Sequence, residues 1–370
     1  MKKIIRLFFV CAIMISCKQN DDDAKPTKPV DITLDGTASE FTDFKATDVG
    51  NGIDIDLKGT DVSMSIRLEG KTTAKYDFAN LSGENSFTIN NSVIVVTSLI
   101  GSPKVSKSGN IDLTVDNGKL SGTIVAEIVD PLVPDSTRTT INGTLTNIDI
   151  GGPTQSGCTL EKISADNVDL EYRYDATHAI TEERKVEGGN ITLRRIFSYL
   201  NGIGVQMLEV GDGIYNIYLM EYGGSSLTRI RKISNNSDNE VLTSFTYKGT
   251  DISKITTSIK GQSNVTLCFT SDGGNITSEN DCTDPGRDLV TYNTFDSKSN
   301  PYSLLQSALA NQSAVLYQLH PSGANLSANN VTEYTEDGTT AEIAYQYNNN
   351  GFPVQSTGKS TTTFTYSGCN

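Results

Sequence analysis

Between residues 53 and 68 apolar and polar positions alternate. Ile53, Ile55 and Leu57 are separated by Asp54 and Asp56, and Val62, Met64, Ile66 and Leu68 by Ser63, Ser65 and Arg67. Successive side chains on a strand point to opposite faces, so each stretch predicts a strand with one buried apolar face and one wet polar face. Further apolar runs at 74–78, 93–97, 111–115, 120–129 and 140–150 are separated by turn signals such as Asp116-Asn117-Gly118. Short strands about ten residues apart, with Asn-Gly turns, predict an antiparallel β-sandwich over residues 31–151.

After a Gly-rich linker at 152–157 the pattern changes to an internal repeat: an aromatic residue, any residue, Tyr, a turn, then an apolar return strand. It occurs at Tyr172-Tyr174, Phe197-Tyr199, Phe245-Tyr247, Tyr345-Tyr347 and Phe364-Tyr366, with looser copies ending at Tyr222, Phe269 and Tyr292. Steps of 25, 23 and 25 residues from Tyr174 to Tyr199, Tyr222 and Tyr247 fit one hairpin per repeat. Residues 158–370 are therefore expected to form an antiparallel sheet of hairpins. One stretch breaks the rule: Asn300 as cap and Pro301 at the first helical position open a run with Leu304, Leu305, Ala308 and Leu309 on one face. That predicts a short helix from Pro301 to about Ala310, packed on the sheet. The fold class expected is all-β, two domains, one short helix.

At the N-terminus Lys2, Lys3 and Arg6 precede nine apolar residues, Leu7 to Ile15. That is a signal peptide over residues 1–16, since a spanning helix needs about twenty apolar residues. Its end, Met14-Ile15-Ser16-Cys17, resembles the lipobox of bacterial lipoproteins, and the resemblance implies lipidation of Cys17. Residues 17–30, with Asp21 to Asp23, Pro26 and Pro29, read as an acidic tether. Asn20 to Asp23 resembles the signal that sends Bacteroidota-type lipoproteins to the cell surface, which implies an outer-membrane, lipid-anchored protein facing the exterior.

The segments Ser121-Gly122-Thr123-Ile124 and Ile141-Asn142-Gly143-Thr144-Leu145 resemble the closing strands of uncharacterised β-sandwich domains of Bacteroidota lipoproteins. Tyr174-Asp175 with Ile180, and Tyr347 to Pro353, resemble the YD repeats of RHS-type proteins. They are closer still to YD-like domains of Bacteroidota lipoproteins that begin at a Cys and end near Tyr-Ser-Gly-Cys, as at Tyr366 to Cys369. His178 stands where the Gly of a YD turn is expected. No activity travels with either resemblance.

Composition sharpens this picture in three places. The chain is acidic, −14 overall, and both halves share the excess, so no basic face is available for nucleic acid. Fourteen of the fifteen tyrosines lie beyond residue 152, so the two halves are built differently. Four cysteines remain besides Cys11 and Cys17: Cys158, Cys268, Cys282 and Cys369. An even number in an exported chain indicates disulfides rather than metal or catalysis. Three pairings are possible. Cys158 and Cys369 bracket the domain while Cys268 and Cys282 flank a turn at 271–275, which favours those two bonds.

Candidate chemistry is sparse. His178 and His320 both fall in loop sequence and are expected to be exposed. No spacing reads as a zinc, redox-metal or EF-hand site, and the clusters at Asp48, Asn51, Asp54, Asp56 and at Asn235, Asn236, Asp238, Asn239 are explained by turn chemistry. No catalytic residue, metal or cofactor is expected. The tyrosines read as core and cross-strand pairs, and Arg229 and Arg231 as a solvated sheet face. The function expected is a lipid-anchored, non-catalytic binding or scaffold module whose partners are the membrane, through its lipid, and a glycan or surface protein. The alternatives are an accessory glycan-binding outer-membrane lipoprotein and a carboxylate-based hydrolase.

Overall fold

A computed structural model describes residues 28–369 apart from positions 51, 82–90, 99–102, 132–136, 153–157, 176, 201, 212, 236 and 285–287. The signal peptide, Cys17 and most of the tether and linker lie outside the described residues. The described chain is all-β but for three short helices, and its strands fall into two separate sheets, over residues 30–151 (below, the first domain) and 159–367 (the second).

The first domain departs from the expected sandwich. Its ten strands belong to one sheet, and the pairings return on themselves. Thr139–Gly151 pairs with Lys119–Val129 along most of its length, and its last residues, Ile150 and Gly151, pair with Ala46 and Thr47 of Asp43–Asp48. From there the ladder runs through Ile53–Lys58, Val62–Leu68, Val93–Ser98 and Lys104–Asp116 back to Lys119–Val129. Two thirteen-residue strands make this possible. Thr139–Gly151 shifts register between Leu145 and Ile148, around Asn147 at positive φ, and Lys104–Asp116 shifts between Ser106 and Ser108. Such bulges bend a strand and re-aim it, so one strand serves what would otherwise be two sheets. The ring is filled by alternate side chains: Ile53, Ile55, Leu57, Met64, Ile66 and Leu68 are fully enclosed.

The second domain is a closed barrel of seventeen strands. Thr339–Glu342 and Ala344–Tyr347 are two halves of one passage broken at Ile343, whose N–H donates to Thr332 O (2.8 Å). The barrel closes where Thr159–Ala165 pairs with Thr361–Ser367. The expected helix is present as α1 (Tyr302–Ala308), with Asn300 Oδ1 accepting from Tyr302 N–H (3.0 Å). Two more follow, α2 (Ser313–Leu319) and α3 (Gly323–Leu326). They fill the lumen rather than lying on a sheet. Leu305, Leu309, Ala314, Val315, Leu316 and Leu319 share one core with Tyr172, Phe197, Phe245, Phe269 and Phe364 from strands around the ring. The outward face carries exposed Arg229, Thr246, Lys248, Lys254, Thr270 and Asn293. An apolar interior with a polar exterior is the inverse of a membrane-spanning barrel.

The repeat has a structural meaning. The ladder shifts register at Tyr174, Tyr199, Tyr222, Tyr247 and Tyr347, next to turns at one end of the barrel. The Tyr hydroxyl then donates back to a carbonyl of an earlier return strand: Tyr174 to Leu160 O, Tyr199 to Ile180 O (2.8 Å), Tyr222 to Gly204 O (2.6 Å) and Tyr247 to Leu227 O (2.7 Å). Tyr345 and Tyr366 do the same to Val331 O (3.0 Å) and Pro353 O (2.7 Å). Each ring supplies apolar bulk to the lumen while its polar tip is satisfied.

Candidate functional site

Two features stand out when polar side chains are traced from the strands that carry them: a charged seam between the domains and a groove that opens beside it.

The seam begins with the alternation at 53–68. Its polar face was expected to be wet; instead Asp54 is fully buried and Arg67 is 1% exposed. That face packs on the outer wall of the second barrel. Ala79, Leu81, Val93, Val95 and Val105 meet Ile196, Leu208, Val210, Tyr215 and Ile217 in a shared apolar cluster. Beside it Arg67 lies 3.4 Å from Asp54 and 2.9 Å from Asp56. Arg173 reaches Asp54 (3.5 Å) and Glu69 (3.1 Å). Arg184 pairs with Glu69 and Glu182, and Arg194 with Glu69 (3.0 Å), Glu182 and the Asn91 carbonyl (2.8 Å). Four guanidinium groups thus meet four carboxylates, which is how buried charge is tolerated. Burial favours the neutral form of Glu182, but Arg184, Arg194 and Arg173 outweigh it and hold its pKa well below the ordinary value. A Cβ at Gly52 would fall 2.0 Å from Leu68 O and 3.1 Å from Arg173 Nη2, so only glycine lets the seam close here.

A second network fixes the plug to the wall. His320 is a correction: expected in an exposed loop, it is 8% exposed. Its Nε2 lies 2.9 Å from Glu183 Oε2 and 3.1 Å from Tyr172 Oη. The chain leaves α2 at His320 inside the barrel, and no local sequence pattern reports that. Burial raises the pKa of Glu183, yet His320 and Arg195 bring it down to about 2. Farther round the wall Glu279 accepts from Gly323 N–H (2.6 Å), at the start of α3, and from Tyr292.

The other residues singled out by sequence fall as follows. Cys158 is bonded to Cys369, directly beyond the closing pair Thr159–Ser367, and Cys268 to Cys282; the Cα–Cα distances are 4.1 Å and 5.2 Å. Arg229 and Arg231 pair with Glu221 and Glu240 on the half-exposed outer wall. Asp48 pairs with Lys71 (3.1 Å) rather than with Asp54 or Asp56, which belong to the seam. Among the described residues no group of three metal-ligating side chains occurs. His178, half-buried, holds φ +64° in the turn after Tyr174.

Sequence reasoning missed the seam because charged residues alternating with apolar ones look like a solvent face. The usable signal lay in the partner strands, where the near-continuous runs Val205–Val210 and Ile214–Met220 require apolar cover on both faces.

No family model matches the chain, and no curated protein matches it. Among solved structures, a porin-like protein from Bacteroides uniformis ATCC 8492 aligns at 12% identity with a TM-score of 0.38, over 58% of this chain and 97% of that one.

Proposed function

We propose that this is a lipid-anchored cell-surface protein of the outer membrane, held by Cys17, that works as a non-catalytic binding or scaffold module. The observation that carries the reading is the run Met14-Ile15-Ser16-Cys17 followed at once by Asn20 to Asp23. Several acyl chains on one residue hold a polar body at a membrane where a single chain would not, because each buried methylene contributes about 0.8 kcal/mol. The architecture supports the second half of the proposal. The buried charges of the seam join one domain to the other, and Glu183, His320 and Glu279 join plug to wall. Buried and paired with one another, these groups tie parts of the fold together, which supports a structural role for them.

Metabolic labelling with a palmitate analogue tests the anchor. Label is expected on the wild-type chain and absent from Cys17→Ala, and label that persists in the variant overturns it. Protease added to intact cells tests the location: cleavage of the body without lysis is expected, and full protection places it on the inner face.

A further inference from the structure

Cavities of about 370 Å³ and 570 Å³ lie along the junction of the two domains, and Thr159, Tyr174 and His178 line both, so they form one groove. The first part crosses the outer face of the barrel's terminal strands, past Glu161, Glu171, Thr365 and Ser367, beneath the turn at Val49 and Gly50. The second opens at the tyrosine end of the barrel, between Tyr199 and α1, with Lys58 of the first domain and Thr177 at its rim. Both volumes fall in the range of small-ligand sites.

We propose that this groove binds a neutral oligosaccharide. The inference rests on the binding-module reading above and gives it a site and a ligand class. Glu161, Glu171 and the hydroxyls of Thr159, Thr365 and Ser367 offer acceptors, while those hydroxyls and Lys58 offer donors. Sugar hydroxyls do both, so they meet either kind of partner. The same part is also lined by Lys162, Arg173 and Arg184, but each is already paired with a carboxylate of the protein: Lys162 with Asp169, Arg173 with Asp54 and Glu69, and Arg184 with Glu69 and Glu182. The lining therefore has charges of both signs and favours a neutral ligand over a polyanion. An extended peptide needs a free strand edge for its backbone, and here the groove crosses the face of a closed barrel. Tyr174 and Tyr199, packed in the barrel core behind the groove, are fixed in advance, since their hydroxyls are bonded to Leu160 and Ile180 carbonyls; a preformed wall reduces the ordering cost of binding.

The turn at His178 supplies an independent observation. Asp175 Oδ1 accepts from Thr177 N–H (2.7 Å) and Ala179 N–H (3.0 Å), and His178 N–H donates to Asp175 O (3.0 Å). The other tyrosine-end turns place glycine at positive φ, at Gly202, Gly224, Gly249 and Gly351. Only this one has an imidazole there, where the two cavities meet. Glycine would fit the backbone with less strain, and the imidazole instead puts a polar ring where the two cavities meet.

The test uses the full-length acylated protein in detergent, titrated with neutral gluco-, manno-, galacto- and xylo-oligosaccharides, with uronate-containing and sulfated saccharides, and with unstructured peptides. At least one neutral saccharide is expected to bind. His178→Gly is expected to weaken it roughly fivefold or more with no fall in melting temperature, and Lys58→Ala to weaken it about threefold. The inference is overturned if no neutral saccharide binds the folded protein, if both variants bind as the wild type does, or if only anionic saccharides or peptides bind. A folded, acylated, surface-exposed protein that binds none of the probes overturns the groove but leaves the anchored scaffold standing. Saccharide shortened on chromatography would instead overturn the non-catalytic reading and leave the groove in place.

Discussion

The ring of the first domain is filled largely by its own aliphatic side chains, whereas the barrel at 159–367 encloses three helices and most of the protein's aromatic residues. Barrel diameter grows with strand number; about eight strands leave room only for side chains, and sixteen or more leave a lumen. Seven strands close the first ring, so mostly Ile, Leu, Val and Met, with Phe78, suffice. Sixteen passages, built from seventeen strand segments, close the second, and strand side chains alone cannot span it. Its wall therefore uses tyrosine and phenylalanine, and α1 to α3 occupy what remains. The uneven distribution of tyrosine along the chain is a consequence of barrel size.

That comparison can be broken most severely at the wall the two barrels share. Arg194→Ala leaves Glu182 and Glu69 short of a buried partner and is expected to cost about 3–5 kcal/mol in urea denaturation. It should unfold both barrels in one transition. Two separated transitions with an unchanged midpoint would mean that the seam does not couple them.

Next in size is the seam of the large barrel itself. Cys158→Ser with Cys369→Ser removes a link across 211 residues, a bond of a kind that typically stabilises by about 2–4 kcal/mol. Fourteen of the fifteen tyrosines report on the second barrel, so the near-ultraviolet tyrosine signal should melt earlier. A signal unmoved in the double variant would show that the strand pairing alone closes the barrel.

Acid should loosen the plug. Glu183 is held at about 2 against an ordinary value of 4.5. Its folded-state pKa is depressed, so its stabilisation is fully present above about pH 4.5 and is lost as pH falls toward 2, on the order of 3 kcal/mol. Glu183→Gln should flatten the stability profile of the large barrel in that window. An identical profile in the variant would assign the acid sensitivity elsewhere, with Glu182 the first alternative.

The smallest effect sharpens the role of the repeat. Tyr247→Phe keeps the ring and removes the hydroxyl bond to Leu227 O (2.7 Å), so a loss of about 0.5–1.5 kcal/mol is expected. Tyr76→Phe, in the first domain, should not disturb the second barrel's tyrosine signal. A Tyr247→Phe variant as stable as the wild type would reduce the repeat tyrosine to ring packing alone.

Much of the architecture was legible in the residues. Alternation at 53–68 located two strands and their apolar face, the spacing of Tyr174, Tyr199, Tyr222 and Tyr247 gave one hairpin per repeat, and Asn300-Pro301 marked the start of α1. Ring closure was not legible, because a sandwich and a barrel share the same local alternation; the difference rests on bulges near Asn147 and Ser106 that bend single strands. The candidate groove was hidden for a related reason. His178 was noticed as the wrong residue for its turn, but its neighbours Lys58, Thr159 and Ser307 come from three distant parts of the chain.

By itself, then, the sequence determined the periodicities: two-residue alternation for strands, a near-24-residue repeat for hairpins, and an apolar run from Leu7 to Ile15 just before Cys17. These are local, set by backbone geometry and by which side chains lie next to one another along the chain. Tertiary structure alone decided that Asp54 and Arg67 are buried, that His320 is inside a barrel, and that α1 to α3 fill it. Whether a polar face meets water or a complementary polar face depends on what packs against it, and that partner lies a hundred residues or more away.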